Sequence, residues 1–153
     1  MNALEPRFLT VGPTSGDHLR IEVVEIVPDG QQGAGDFSAS VSVSCDGFTA
    51  TDRGCWILRS VFDEFLVALR GFEASRVGRV TLESMSPGDL ILTIASESPT
   101  QWPVVTGTVT GPYLSRARAY RGQLNFAFTL DSSFVVQLQH DFEHLLSNSR
   151  NAS

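Results

Sequence analysis

The chain has 153 residues, of which 42% are hydrophobic and 18% charged, a composition typical of a globular protein rather than a disordered one. No apolar run approaches the roughly 18 residues that span a bilayer. Glu5 and Pro6 interrupt the region where a signal peptide needs an apolar core, so we expect a cytoplasmic protein with no membrane partner.

The acidic charge is concentrated in the first third of the chain. The formal net charge is −6, every basic residue is an arginine, and residues 1–53 hold eight acidic residues against three arginines. The negative electrostatic potential of this segment should repel nucleic acid and attract a basic partner. An acidic surface that only maintains solubility would give the same totals, so this alternative stays open.

The first elements in chain order are strands. Residues 19–27 alternate apolar and polar side chains until the pattern slips at Val24, as a β-bulge would cause. Residues 28–36 are rich in glycine and turn residues and predict a flexible loop. In residues 37–45, FSASVSVSC, apolar residues alternate with serines, which predicts a strand with one buried and one solvent-facing side.

The period then changes to that of a helix. The spacing of apolar residues predicts a helix over about 55–70 that stops at Gly71. Alternation returns in four segments, at 80–82, 90–94, 105–109 and 124–130. A second helix is predicted over about 131–147, capped by one of its first three residues, with an apolar stripe formed by Phe134, Leu138, Phe142 and Leu145.

This order predicts an α+β fold. Long alternating strands with short turns favour antiparallel pairing, and we expect a mainly antiparallel β-sheet with both helices packed on one face. The predicted element order is βββ-α-ββββ-α within a single domain spanning residues 1–153, since no linker or repeat divides the chain.

The second helix contains HDFEH at 140–144, which fits a zinc-peptidase pattern. On a helical wheel, His140 and His144 lie opposite the apolar stripe, on the solvent side. A catalytic zinc needs a third protein ligand and an open position, and only nine residues follow His144. We therefore interpret the pair as an exposed helix face that could at most hold a surface metal weakly, and we predict no metal site, cofactor or catalytic residue.

Two further features, an arginine-rich segment and a pair of cysteines, do not indicate a functional site. The arginines of RARAYR, residues 116–121, suit phosphate contacts, but the C-terminal half is neutral and no recognition motif accompanies them, so we expect no nucleic-acid partner. Cys45 and Cys55 are too few for a disulfide-stapled secreted domain and favour reduced thiols, although a bridge between them stays open.

With the elements in order, the chain resembles the WapI-type immunity proteins over about residues 37–147. The likeness is carried by VFDEFLVALRGFEASRVGRVTLESMSPGDLILTIASES, VVTGTVTGP and GQLNFAFTLDSSFVVQLQHDFEHLL. The four residues that follow Asp131, Ser132–Val135, match the family pattern less closely than the rest. The resemblance implies a small cytoplasmic bacterial protein that binds and neutralises a cognate toxin domain, in many cases a basic nuclease.

Charge then suggests which residues would contact such a toxin. We expect a basic toxin domain to be met by Asp29 and Asp36 in the loop, followed by Asp46 and Asp52. Two alternatives remain: a general interaction module or homodimer using the serine face of residues 38–44, and a scaffold that holds a small apolar ligand among its ten phenylalanines.

Overall fold

The computed structural model of the chain describes the backbone of residues 7–114 and 119–147, and the side chains of 7–111 and 122–147. Within these ranges, eight strands form two four-stranded antiparallel sheets in the orders β1-β2-β3-β4 and β5-β6-β7-β8. The elements are β1 Arg7–Val11, β2 His18–Ile26, β3 Phe37–Cys45, β4 Phe48–Ile57, α1 Arg59–Ser75, β5 Gly78–Glu83, β6 Leu90–Ser96, β7 Val104–Leu114, β8 Ala119–Thr129 and α2 Phe134–His144.

The predicted α+β class with antiparallel strands, and the sequence of strands, helix, strands, helix, is confirmed. The first group has four strands rather than the expected three, and the strands divide into two sheets. The predicted bulge is also present, because the register of β2 against β3 shifts between Val23 and Glu25. Val24 is the extra residue and is 63% exposed.

The third strand has the predicted two-sided character. Its apolar side chains are all buried: Phe37, Ala39, Val41, Val43 and Cys45. Three of the four intervening serines are only partly covered, and Ser38 is buried beside Trp56 of β4. Burial of one face at about 25 cal/mol per Å² fixes the register, since a slip of one residue would expose every apolar side chain.

The first helix differs from its prediction at both ends. Cys55 still pairs with Ala39 in the sheet, so the alternation of β4 continues to Ile57 and α1 begins only at Arg59. At the other end, Gly71 lies inside the helix, which continues to Ser75 and is followed by Arg76 in the left-handed conformation. Burial of Phe72, worth about 1.5–3 kcal/mol, outweighs the roughly 1 kcal/mol that a helical glycine costs.

The second helix is shorter than predicted, since it spans Phe134–His144 and the preceding residues form a turn. In that turn the Asp131 carboxylate accepts a hydrogen bond from the Ser133 N–H at 2.9 Å. The predicted stripe is correct for three residues, but Phe134 is 36% exposed and Val135 is buried in its place. The buried stripe of α2 thus begins at Val135, one residue later than predicted.

Aromatic rings join the helices to the first sheet. Phe37 of β3 meets the Phe62 ring edge-on at 5.2 Å between centroids, and Phe65 meets Phe142 of α2 at 4.9 Å. Arg70 and Glu143 form an ion pair between the two helices. Seven of the ten phenylalanines, all within the described residues, are buried in this way, so the phenylalanine content is used mainly for core packing.

The two sheets also contact each other directly. The Met85 N–H after β5 donates to the Trp56 carbonyl of β4 at 2.8 Å, and the Cys45 thiol lies 3.4 Å from the Ala127 carbonyl of β8. Buried residues from both sheets and both helices belong to one contiguous core. The turns at the ends of the strands are therefore held in fixed positions relative to one another.

Candidate protein-binding surfaces

The topology of the first sheet decides which turns are neighbours. In a sheet of four sequential antiparallel strands, the β1–β2 and β3–β4 turns lie at one end and the β2–β3 turn at the other. β3 has nine residues, so these two ends are about 30 Å apart. The four aspartates predicted to contact a partner are distributed over both ends and the interior, and they do not form one surface.

At one end lies the β2–β3 turn with Asp29 and Asp36. Asp29 is exposed. Asp36 is half-buried, and its carboxylate accepts a hydrogen bond from the Arg59 N–H at 2.7 Å. Because Leu58 has no side-chain acceptor to cap α1, Asp36 supplies this acceptor from 23 residues away, where it also opposes the positive end of the helix dipole. Asp36 thus has a structural role.

The loop that carries these residues is closed by its own backbone hydrogen bonds. The Val27 N–H donates to the Asp36 carbonyl at 2.8 Å, and the Gly35 N–H donates to the Val27 carbonyl at 3.0 Å. Within the loop, the Asp36 N–H donates to the Gly33 carbonyl at 2.9 Å. The segment predicted as a flexible loop therefore has a defined turn structure.

Asp52 is buried, contrary to its proposed role as an exposed contact. Only 6% of the residue is accessible, and its carboxylate accepts the Gly54 N–H at 3.0 Å. It lies near Cys55, where burial first, and then the negative charge of Asp52, raises the pKa of the thiol to about 12. Cys55 is consequently a protonated core residue and not a nucleophile.

Cys45 and Cys55 are both free thiols. Cys45 opposes Phe48 at the start of β4, whereas Cys55 opposes Ala39 near its end. This separation along the sheet exceeds what a disulfide can bridge. The expectation of two reduced thiols is confirmed.

Asp46 lies at the other end of the sheet and is exposed. With φ values of 51° at Asp46 and 79° at Gly47, the β3–β4 connection is a two-residue turn of the type that Asp-Gly favours. The Asp46 N–H donates to the Asp17 carboxylate of the β1–β2 turn at 3.0 Å. The Asp17 carboxylate of one turn therefore lies against the backbone of Asp46 in another turn, 29 residues away in sequence.

An exposed aromatic residue follows directly after this turn. Phe48 is 67% exposed although it is the first residue of β4 and lies opposite Cys45. We refer to Asp17, Asp46 and Phe48 together as the acidic tip. Sequence reasoning included Asp17 in the charge balance without singling it out, and Phe48 received no role, because only the folded sheet brings these residues together.

A second exposed apolar region lies at the end of the other sheet. We refer to Trp102, Val104, Phe134 and Val77 as the Trp102 patch; their exposed fractions are 55%, 39%, 36% and 43%. Their segments are linked, since the Leu130 N–H donates to the Pro103 carbonyl at 2.8 Å and Arg76 Nη1 donates to the Ser132 carbonyl at 3.1 Å. The four residues that define the patch are all apolar.

The histidines of HDFEH are placed as predicted. His140 and His144 are both exposed on α2. In the part of the chain that the structure describes, no group of three or more His, Cys, Asp or Glu side chains is arranged to hold a metal ion. The hydrogen bond from Arg70 lowers the pKa of Glu143, so this carboxylate is an ion-pair partner rather than a general base. The side chains of RARAYR lie outside the described residues.

No family model, curated protein or solved structure matches the chain. Neither of the helices described has the length and hydropathy needed to cross a bilayer.

Proposed function

We propose that this protein is an immunity protein that binds a cognate bacterial toxin domain of basic charge and neutralises it by covering its working surface. The proposal rests on the acidic tip, where the Phe48 side chain is 67% exposed and the preceding turn holds the Asp17 carboxylate against the Asp46 backbone. The resemblance of residues 37–147 to WapI-type immunity proteins points to the same class.

The chemistry of the acidic tip suits a protein partner. Exposed aromatic side chains are frequent binding hot spots when they enter a pocket that excludes water, and flanking carboxylates can pair with arginine or lysine at the rim. Phe48 would supply the buried anchor, whereas Asp17 and Asp46 would orient a basic surface around it. An apolar pocket with a basic rim is therefore the complementary site we expect on the toxin.

The charge of the whole chain supports fast association. A net charge of −6 attracts a basic domain over distances of about one Debye length, roughly 8 Å at physiological salt. If the toxin is a nuclease, its basic surface binds phosphates, and the same surface would be occupied by the acidic tip. Inhibition then needs no bond-making step, only occlusion of the substrate.

The test applies where a large secreted protein with a small C-terminal domain is encoded beside this chain, and it uses that domain as the candidate toxin. We expect the two to co-purify and this chain to restore growth of cells that express the domain. In binding measurements with an inactive form of the domain, Phe48→Ala should raise Kd about 30-fold, which corresponds to the roughly 2 kcal/mol of a hot spot. Trp102→Ala, which removes another aromatic side chain that is more than half exposed, should change Kd less than threefold.

Charge is tested by isosteric neutralisation. Asp17→Asn with Asp46→Asn keeps the acceptor of the turn and removes two charges, and it should slow association and flatten its salt dependence. Glu25→Gln with Asp29→Asn removes two exposed charges at the opposite end and is the matched control. If both double variants changed the association rate and its salt dependence equally, the charges would act only by long-range electrostatic attraction. This result would contradict direct contact at the acidic tip.

A second candidate function is a general interaction module or homodimer that uses the Trp102 patch. The observation in its favour is the exposed tryptophan together with three exposed apolar side chains on segments that are joined by hydrogen bonds, since tryptophan is enriched in interface hot spots. In this case Trp102→Ala would weaken association with the partner or with a second copy, whereas Phe48→Ala would not.

A further inference from the structure

The two histidines of α2 form a pair whose geometry the proposed function does not use. Residues four apart on an α-helix lie above one another on the same face, and His140 and His144 have this spacing. Both are exposed, and their ring centroids are 4.1 Å apart. The buried side of the same helix is formed by Leu138 and Phe142, so the imidazoles point away from the core.

A hydrogen bond fixes which nitrogen of His144 carries the proton. The Nδ1 of His144 lies 2.8 Å from the backbone carbonyl oxygen of His140. Because a carbonyl only accepts, Nδ1 must be the protonated nitrogen when the ring is neutral, and Nε2 retains its lone pair. Metal-binding histidines commonly have this arrangement, in which one ring nitrogen donates to a carbonyl and the other binds the metal.

The neighbouring acidic side chains are engaged elsewhere. Asp141 accepts a hydrogen bond from Gln137 Nε2 at 2.7 Å, and Glu143 is paired with Arg70 and accepts from Gln139. No group of three potential ligands exists among the described residues, which excludes there the three-ligand arrangement of a catalytic zinc. The pair therefore offers two nitrogen ligands on an open surface.

We propose that His140 and His144 chelate a divalent late transition-metal ion of the Ni²⁺, Cu²⁺ and Zn²⁺ class, with water in the remaining positions. Imidazole nitrogen suits these ions, whereas Mg²⁺ and Ca²⁺ prefer oxygen ligands. Two ligands one helical turn apart bind more tightly than either alone, because the helix holds the second ligand in place once the first has bound. This inference is independent of the proposed toxin partner.

The test is calorimetric titration of protein without an oligohistidine tag with NiCl2. We expect one Ni²⁺ per chain, and His140→Ala or His144→Ala should weaken binding at least tenfold. His18→Ala is the matched control, since His18 lies on β2 away from the pair, and it should bind Ni²⁺ like the wild type. Circular dichroism of all variants should match, because His140 and His144 are exposed and His18 is only half-buried.

A second readout separates this site from scattered weak binding. Excess Ni²⁺ should raise the Tm of the wild type but not that of the His140→Ala/His144→Ala variant, because binding to native helix geometry stabilises the folded state. MgCl2 at the same concentration should have no effect on either protein. Absence of Ni²⁺ binding, or equal affinity of the double variant and the wild type, would overturn the proposal.

Discussion

Replacing Gly71 by alanine tests where the first helix ends. The structure places Gly71 inside α1, exposed, and a Cβ added there would have no atom within 4 Å. The substitution therefore adds no clash and gains the helix propensity difference of about 1 kcal/mol. For a chain of this size, we expect Tm to rise by about 2–4 °C.

The sign of the change in Tm distinguishes a helix that continues past Gly71 from one that ends there. If the helix stopped at Gly71, as the sequence predicted, and Gly71 had the left-handed conformation common at helix ends, alanine would be strained there and would lower Tm instead. Gly78→Ala is the matched control, because its φ of 113° lies where side chains are disfavoured, and it should destabilise by on the order of 1 kcal/mol. The measurement is urea or thermal unfolding followed by circular dichroism. A lower Tm for Gly71→Ala would refute the helix boundary described above.

Three further outcomes are expected. Asp36→Ala should lower the free energy of unfolding by about 1 kcal/mol in urea titrations, because the Arg59 N–H loses its acceptor, and it should leave partner affinity unchanged. Phe142→Ala should cost about 3–5 kcal/mol by the same titration, whereas Phe134→Ala in the same helix should cost far less because its ring is partly exposed. Cys55 should resist a thiol reagent at pH 8 until the protein unfolds. Because folding raises the pKa of Cys55 from 9.0 to about 12, the thiol ionises first in the unfolded state as the pH rises. The free energy of unfolding should therefore fall by about 1.4 kcal/mol per pH unit between pH 9 and pH 12. This pH dependence should be absent in Cys55→Ala.

Most of the strands and the helical interiors were predictable from the sequence because they depend on local periodicity, whereas one strand of the first sheet and the end of β4 were not. The alternation in residues 37–45 required one buried face, and the bulge at Val24 followed from a break in the same pattern. The ends of the helices were not predictable in this way. Phe72 extends α1 past Gly71 only because the core gives its ring a place to pack, which is a tertiary effect that overrides a local stop signal.

The candidate site was less predictable than the fold. Asp46 could be selected by charge, but its neighbour Asp17 is 29 residues away, and the pairing of β2 with β3 is what brings the two turns together. Asp52 was selected by the same criterion and is buried. Charge along the sequence therefore does not reveal whether a carboxylate faces solvent, caps a helix or lies in the core.

Only some of the acidic residues in the first third of the chain are therefore placed to contact a partner. A partner of ordinary size contacts about 800 Å² on one side, which is a compact patch roughly 30 Å across. A patch centred on one end of the sheet therefore does not reach the other end, about 30 Å away. At the β2–β3 end, the Asp36 carboxylate already serves the start of α1, which leaves Asp29 as the unengaged carboxylate among the predicted contacts there. At the other end, the half-buried Asp17 accepts the Asp46 N–H, and the exposed Asp46 is followed two residues later by Phe48, whose ring is mostly exposed. We therefore expect the net charge of the chain to set the association rate with a basic partner. The affinity should arise at the acidic tip, which holds two of the eight acidic residues in the first third of the chain.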